Sequence, residues 1–332
     1  MEQITSTVGP SNISSSPGNP SPGSWDSSGL APAVLLSFCF LLGLPGNISV
    51  ILLKSKWQHM SSLSQTLMLN LAMADILCLL TLPLWIYALL FGWTFSLAAC
   101  KTLSYLVYCS IYSSLLTVTT LSVQRYLQVV YLQRSLNLTG QRWQLVLWLA
   151  ALILASPALV VDELITDQQW PRCRPPSSEA QMLPLLLTET CIGSVSLFIV
   201  VFSYICIQRK VSQGALFNRP QTSRLISSII VTFVVLWMPY LMVNVLGVLG
   251  FTLSNSNLLT FWMKSSDVFG ALIFLNTCVN PLLYAFASCT MCQKNGCTST
   301  TTAWVSTQQT NLWYWTSSRH QSNQHVSSAV CV

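Results

Sequence analysis

The chain has 332 residues, of which 7% are charged and 52% hydrophobic, and its formal net charge is +6. A soluble domain carries about 25% charged residues, so this composition excludes a water-soluble globular protein and requires most of the exterior to face lipid. The placement of the basic residues, more than their sum, then sets the orientation in the membrane.

The first 30 residues are rich in Ser, Pro, Gly and Asn and contain no apolar stretch. This composition predicts a disordered extracellular N-terminus over 1–30, without a cleavable signal peptide. Asn12 opens a glycosylation sequon with Ile13 and Ser14, which can be used only if this end is outside.

Seven apolar segments follow, each long enough to cross a hydrocarbon core, which takes about 20 helical residues. They predict a seven-transmembrane domain over residues 31–287 with short polar loops and no soluble domain between spans. Residues 288–332 remain as an atypical cytoplasmic tail, predicted to be disordered. The predicted spans are 31–53, 63–90, 97–130, 143–161, 183–207, 225–250 and 262–287.

Basic residues divide unevenly between the two sides of this bundle, nine against four. Because the more basic side faces the cytoplasm, the predicted fold is an all-α membrane protein, a seven-transmembrane helix bundle with its N-terminus outside. The nine are Lys54, Lys56, Arg125, Arg134, Arg142, Arg209, Lys210, Arg219 and Arg224, and the four are Lys101, Arg172, Arg174 and Lys264.

Asp75 is the acid deepest inside a span, where an ionisable group costs about 2.5–3.5 kcal/mol. It is either a structural carboxylate bonded to neighbouring helices or part of a site for a hard cation such as Na⁺, which prefers oxygen ligands. The polar residues at similar depth on other spans are Asn47, Ser114, Asn276 and Asn280.

Cys100 and Cys173 both fall on the predicted outer side, where disulfides persist. They are either unpaired or joined in a bridge that ties the loop before span five to the third span. Arg125 lies 25 residues after Cys100, roughly 37 Å along a helix at 1.5 Å per residue, so one helix reaches from the outer side to the cytosol.

Three prolines inside predicted spans, Pro157, Pro239 and Pro281, remove backbone donors and predict kinks. Bulky aromatic residues lie beside them, and these either form two alternative packings at the kink or are ordinary core residues. They are Phe233, Trp237 and Tyr284.

Short motifs, one in nearly every span and in chain order, resemble those of the rhodopsin-type G-protein-coupled receptors. The resemblance runs from about residue 30 to residue 287. The motifs are Gly46-Asn47, Leu69-Asn70-Leu71-Ala72-Met73-Ala74-Asp75, Trp93 with Cys100, Gln124-Arg125-Tyr126, Trp148, Phe233-Val234-Val235-Leu236-Trp237-Met238-Pro239-Tyr240 and Asn280-Pro281-Leu282-Leu283-Tyr284.

The resemblance implies a plasma-membrane receptor whose Arg125 engages a heterotrimeric G protein, supported by Tyr204 and Tyr284. It implies a pivot at Trp237 packed on Phe233, and a disulfide between Cys100 and Cys173. The implied switch comprises Arg125, Tyr204, Phe233, Trp237, Pro239, Asn280, Pro281 and Tyr284, and the implied allosteric Na⁺ site comprises Asp75, Ser114, Asn276 and Asn280.

Within the family the chain looks most like leukotriene B4 receptors. Segments 44–47, 173–180 and 224–244 carry this likeness. It implies a chemoattractant lipid, leukotriene B4, as ligand and an inhibitory-type G protein as partner. Chemoattractant-peptide receptors share many of these residues and remain the alternative.

Three features depart from the family pattern. Gln124 stands where an acid normally holds the arginine, so higher resting activity is expected. Ser196 and Leu197 stand where span five usually has a proline. After residue 287 a basic amphipathic helix is poorly supported, although three cysteines there offer palmitoylation sites. They are Cys289, Cys292 and Cys297.

The ligand pocket should open outward and be lined by aromatic residues with few polar anchors, which suits an apolar ligand. A lipid carboxylate would seek a nearby cation, whereas Asp162 and Glu163 at the mouth favour a cationic peptide. The predicted ligand-binding residues are Lys101, Ser104, Tyr105, Tyr108, Tyr112, Arg174, Glu189, Tyr240, Asn244 and Lys264; Trp85, Tyr87, Arg172 and Asp267 lie in the same region.

Other function classes find little support. The three histidines, His59, His320 and His325, all lie outside the predicted spans, and a single deep carboxylate cannot form a catalytic pair, so no enzyme is expected. A transporter would show inverted repeats or paired intramembrane charges. Beyond Na⁺ and membrane lipid, we expect no cofactor and no nucleic-acid partner.

Overall fold

The computed structural model describes residues 29–53, 61–131, 140–167, 170–174, 179–212 and 220–294. The chain divides into two compact units, residues 1–285 and residues 286–332. The described ranges contain seven helices long and apolar enough to cross a membrane, which confirms the predicted bundle. They are α1 Leu30–Leu52, α2 Ser62–Phe91, α3 Leu97–Val130, α4 Gly140–Val161, α5 Glu179–Ser212, α6 Pro220–Thr252 and α7 Ser256–Lys294.

Helix starts are set by short polar side chains that satisfy the first free backbone N–H groups. The hydroxyl oxygen of Ser61 accepts from the Ser64 N–H at 3.3 Å, and that of Ser96 accepts from the Ala99 N–H at 3.2 Å. Between α2 and α3, Gly92 adopts φ 76°, a conformation that glycine reaches without strain. These signals explain why both helices begin within one residue of their predicted limits.

The core is held by polar bonds as well as by apolar packing. Asn70 of α2 donates to the Thr117 hydroxyl of α3 at 2.6 Å and accepts from the Trp148 indole of α4 at 2.7 Å. On the outside, apolar side chains such as Val160 and Phe198 are more than 70% exposed. Because such surface is unstable in water, it must lie against lipid.

A two-stranded hairpin between α4 and α5 was not predicted. Strand β1 (Glu163–Asp167) pairs antiparallel with β2 (Trp170–Arg174). The backbone N–H of Trp93 donates to the Pro171 carbonyl at 2.7 Å, which fastens the hairpin to the turn before α3. We call the end of the bundle that carries the hairpin the outer end, and the end that carries Arg125 the inner end.

The helix α7 continues through residues 288–294, which the sequence assigned to the tail. Backbone hydrogen bonding therefore extends beyond the apolar residues, as it does at both ends of α5. Three prolines that the sequence did not single out, Pro45, Pro83 and Pro184, also lie inside helices. Asn12, Cys297 and the rest of the predicted tail beyond Lys294 lie outside the described residues.

Candidate functional site

Asp75 and three of the four polar residues predicted around it come together at the centre of the bundle. Asp75 is fully buried; its Oδ2 accepts from Asn280 Nδ2 at 2.8 Å and its Oδ1 accepts from Ser114 Oγ at 3.4 Å. Asn276 is also buried, and its Oδ1 has no hydrogen-bond partner among the described residues. Oxygens of this kind could hold a small hard cation.

A small cavity lies beside this carboxylate. Its volume is ≈ 10 Å³, about the space that one water molecule needs. It is lined by Asp75, Ser110, Ser114, Trp237, Asn276 and Thr277, among others. Asn47, the fifth candidate, donates to the backbone carbonyls of Thr277 at 2.8 Å and Gly43 at 3.0 Å, and so ties α1 to α7 beside the cavity.

A stack of aromatic rings on α6 connects the central cavity to the outer end. The rings of Phe233 and Trp237 have centroids 5.2 Å apart, and those of Trp237 and Tyr240 are 6.3 Å apart and nearly perpendicular. Pro239 lies inside the same helix. The Trp237 ring lines the cavity and contacts Tyr240, and so lies between the two regions.

Five predicted pocket residues from α3, α5 and α6 form what we call the outer polar cluster. The Tyr240 hydroxyl donates to the buried carboxylate of Glu189, and Glu189 interacts electrostatically with Tyr108 and Tyr112, whose rings are stacked at 6.3 Å. Asn244 lies close to Tyr240. None of the five is basic.

Several donors around this cluster are buried without a partner among the described residues. They are the Tyr112 hydroxyl, the Asn244 Nδ2, the Thr190 hydroxyl and the Trp237 indole N–H. A buried donor left unpaired costs about 1–3 kcal/mol. Groups of this kind are therefore suited to bonding a ligand or ordered water.

The remaining predicted pocket residues lie elsewhere at the outer end. Lys101 donates to the Val160 carbonyl at 3.2 Å, and the Tyr105 hydroxyl donates to the Leu152 carbonyl at 3.4 Å, so both side chains are directed to α4. Lys264 is exposed. Arg174 pairs with Glu163 through the strand backbone, and the side chains of Arg174 and Asp267 lie outside the described part.

A covalent link closes the outer end. Cys100 and Cys173 form a disulfide with Cα atoms 5.7 Å apart, the pairing that the family resemblance implied. Beside it lies Ser104, whose hydroxyl is 3.9 Å from the Cys173 sulfur. The hairpin is thereby fixed over the start of α3.

Asp162, which the sequence placed at the pocket mouth, is a buried acid between α4 and β1. It is 1% exposed, and its Oδ1 has no partner among the described residues. Burial raises the pKa of this carboxyl group, an effect reduced by the hydrogen bond from Ser104 and by the positive charge of Lys101. The hairpin therefore closes over a carboxylate that is only partly satisfied.

At the inner end, Arg125 lies in the last turns of α3. Its Nη1 donates to Gln128 Oε1 at 3.2 Å, and its Nε has no partner within the described residues. The preceding residue, Gln124, is completely buried. Tyr204 of α5 is half-buried against the core. Tyr284 follows Pro281 in α7, and its side chain is outside the described part.

Comparisons with known proteins agree with this arrangement. Residues 46–284 match the family described as 7 transmembrane receptor (rhodopsin family). Human leukotriene B4 receptor 1 is 32% identical over 279 residues, covering 78% of this chain and 77% of that receptor. Human C-C chemokine receptor type 7 is 30% identical over 272 residues, covering 77% and 71%. C-X-C chemokine receptor type 2 of Oryctolagus cuniculus is 28% identical over 264 residues, covering 74% and 72%.

Proposed function

The chain belongs to the rhodopsin family of seven-transmembrane receptors, and we propose that it is a chemoattractant receptor coupled to an inhibitory-type G protein. Members of this family are multi-pass plasma-membrane receptors, not enzymes, and they act through a ligand and a heterotrimeric G protein. The expectations of a receptor without enzymatic activity and of a plasma-membrane location are therefore confirmed. The chemoattractant class is supported by relatives that are receptors for chemokines and for leukotriene B4.

The proposed orientation places the outer end outside the cell and the inner end in the cytoplasm. Its support is the distribution of basic residues, nine against four, described above. In this orientation Asn12 is available for glycosylation. A glycosidase should increase the gel mobility of the expressed chain but not that of Asn12→Gln. Equal mobility with and without the enzyme in both would contradict glycosylation of Asn12 and the orientation that predicts it.

Leukotriene B4 is the ligand that we propose first. The outer polar cluster combines stacked aromatic rings with buried donors, among them the Tyr112 hydroxyl and the Asn244 amide. An apolar chain bearing hydroxyl groups would bury its carbons against the rings and bond those donors. Its carboxylate would remain near the basic residues of the rim, such as Lys101 and Lys264.

A cationic chemoattractant peptide is the second candidate, and one observation favours it. Both buried acids of the outer end, Asp162 and Glu189, offer carboxylate oxygens to a positive group. A peptide ammonium or guanidinium would compensate for the burial of these charges, whereas a lipid carboxylate would be repelled by them.

The cavity beside Asp75 supports a further part of the proposal, an allosteric Na⁺ site. Asp75 and Ser114 would supply ligand oxygens, and Asn276 would add the Oδ1 that has no partner among the described residues. The bound ion would balance the charge of a carboxylate that is fully buried in the bundle.

The experiment that tests this function measures suppression of cAMP in cells expressing the chain, with leukotriene B4 and with chemoattractant peptides. We expect suppression by leukotriene B4 that an inhibitor of inhibitory-type G proteins abolishes. A response to peptides alone would refute the lipid assignment and leave the receptor class intact. No response to either class would contradict the chemoattractant assignment.

Glu189 provides a sharper test between the two ligand classes. In Glu189→Gln the negative charge is lost but the side chain keeps its size, so binding of a cationic peptide should weaken roughly tenfold or more, while binding of a lipid should change little. Glu163→Gln is the matched control, because Glu163 is an exposed acid of the same end. Equal effects of both substitutions would indicate general charge attraction instead of contact in the cluster.

A further inference from the structure

The inner end of this chain is built without carboxylates. The sequence has nine acidic residues, and none falls within 27–74, 76–161, 190–266 or 268–332. These stretches contain all of α3 and α4, the inner half of α5 and all of α6, together with the loops that join them at the inner end. The nine are Glu2, Asp26, Asp75, Asp162, Glu163, Asp167, Glu179, Glu189 and Asp267.

Arg125 nevertheless needs an acceptor, because it is partly buried and permanently charged. The acceptor that the structure provides is the amide oxygen of Gln128, 3.2 Å from Arg125 Nη1. Residues three apart are neighbours on a helix surface, so this bond stays within α3 and does not depend on the position of another helix. Gln124, which precedes the arginine, is buried in the core of the bundle.

We propose that Gln128 is a positioning residue that holds Arg125 in the resting receptor, with a neutral amide taking the place of a carboxylate. This inference rests on the proposed function, in which Arg125 engages the G protein. Bonded to Gln128, the guanidinium lies along its own helix; once released, it can reach a partner.

The chemistry of the bond between Arg125 and Gln128 has two consequences. A guanidinium binds a carboxylate as an ion pair that can be bidentate, whereas a neutral amide offers it one uncharged oxygen, so the bond to Gln128 is the weaker of the two. The resting state is therefore held weakly, and some receptors are active without ligand. Release of the arginine also requires neither uptake of a proton nor separation of two helices.

The test measures ligand-free nucleotide exchange on a purified inhibitory-type G protein by the receptor in lipid nanodiscs. Gln128→Ala removes the acceptor and should raise exchange roughly three- to tenfold, the range expected for loss of a hydrogen bond to a charged group. Gln128→Glu supplies a carboxylate and should lower exchange below that of the unchanged receptor. A residue needed only for folding would not give effects of opposite sign.

The matched controls are Gln141→Ala and Gln141→Glu, because Gln141 is an exposed glutamine at the start of α4. Neither should alter exchange by more than about the assay error. Equal effects at residues 128 and 141, or two effects of the same sign at residue 128, would overturn the inference.

A second measurement does not depend on the G protein. Thermal unfolding of Arg125→Ala, Gln128→Ala and the double variant forms a cycle, and the two losses should be clearly non-additive because they break the same bond. Additive losses of thermal stability would refute the bond between Arg125 and Gln128, even if nucleotide exchange changed. If no receptor variant gave nucleotide exchange but the losses of thermal stability were non-additive, the proposed G-protein coupling would be refuted. The bond between Arg125 and Gln128 would still be supported.

Discussion

The outer and inner ends of the bundle are stabilised in different ways. At the outer end a disulfide joins Cys100 to Cys173, and the hairpin is bonded through the backbone of Trp93. At the inner end Arg125, the proposed signalling residue, donates among the described residues to a neutral side chain of the same helix, Gln128. A cross-linked outer end would lose less entropy when a ligand docks, and a weakly held inner end would change state more readily.

A few side chains at the centre of the bundle lie between these two ends. Trp237 packs between Phe233 and Tyr240 and also lines the cavity beside Asp75. A ligand that alters the outer polar cluster can therefore act on the cavity and on α6 through one side chain. Damage to the outer end should therefore affect folding and binding, whereas damage to the inner end should affect signalling and leave ligand binding intact.

The largest effect is expected from breaking the disulfide. Cys173→Ser frees the hairpin from α3, and loss of such a bond typically costs about 2–5 kcal/mol. We expect low surface expression, a lower Tm and loss of ligand binding, measured by antibody labelling and thermal unfolding. Cys191→Ser, which changes an exposed free cysteine of α5, should behave as the unchanged receptor. Equal stability of the two variants would show that the outer end does not depend on this link.

A smaller effect is expected at the centre. If Na⁺ binds beside Asp75, replacing KCl by NaCl should weaken agonist binding by roughly five- to tenfold, a typical coupling between two sites. Asp75→Asn removes the charge that attracts the ion and should abolish this difference. Persistence of the Na⁺ effect in Asp75→Asn would exclude this site.

The smallest effect is expected at Asp162, whose pKa is raised by burial. Because the folded state binds the proton more tightly than the unfolded state, this group costs stability as the pH rises above its unfolded pKa of about 4. Asp162→Asn should therefore raise Tm by about 2 °C at pH 7.5, with a smaller gain at pH 5. A loss of stability at pH 7.5 would indicate that the carboxylate is paired.

Much of this fold could be predicted from the sequence, because the length of an apolar segment and the serine at a helix start are local features of the chain. The predicted limits of α3, residues 97–130, coincide with those of the structure. The predicted spans follow the apolar residues, and helices such as α5 continue past them, because hydropathy ends before backbone hydrogen bonding does. The hairpin was missed because its short strands are fixed by contacts with α3 and with the turn before it, which sequence periodicity does not show.

The candidate site could likewise be predicted only in part. Asp75 and its neighbours could be predicted because polar residues stand out inside apolar spans. Lys101 and Tyr105 could not be placed, because which helix a side chain faces depends on packing. Gln128 was missed because a glutamine near a helix end normally faces solvent; the absence of acids from the inner end is the signal that could have found it.

The proposed signalling depends most directly on Arg125. The decisive measurement compares Arg125→Ala with the unchanged receptor in nanodiscs, recording binding of labelled leukotriene B4 and nucleotide exchange on an inhibitory-type G protein in the same sample. We predict that binding changes less than about threefold while exchange falls at least tenfold, to the level of empty nanodiscs. Exchange that remains at the level of the unchanged receptor would contradict the separation of a binding end from a signalling end.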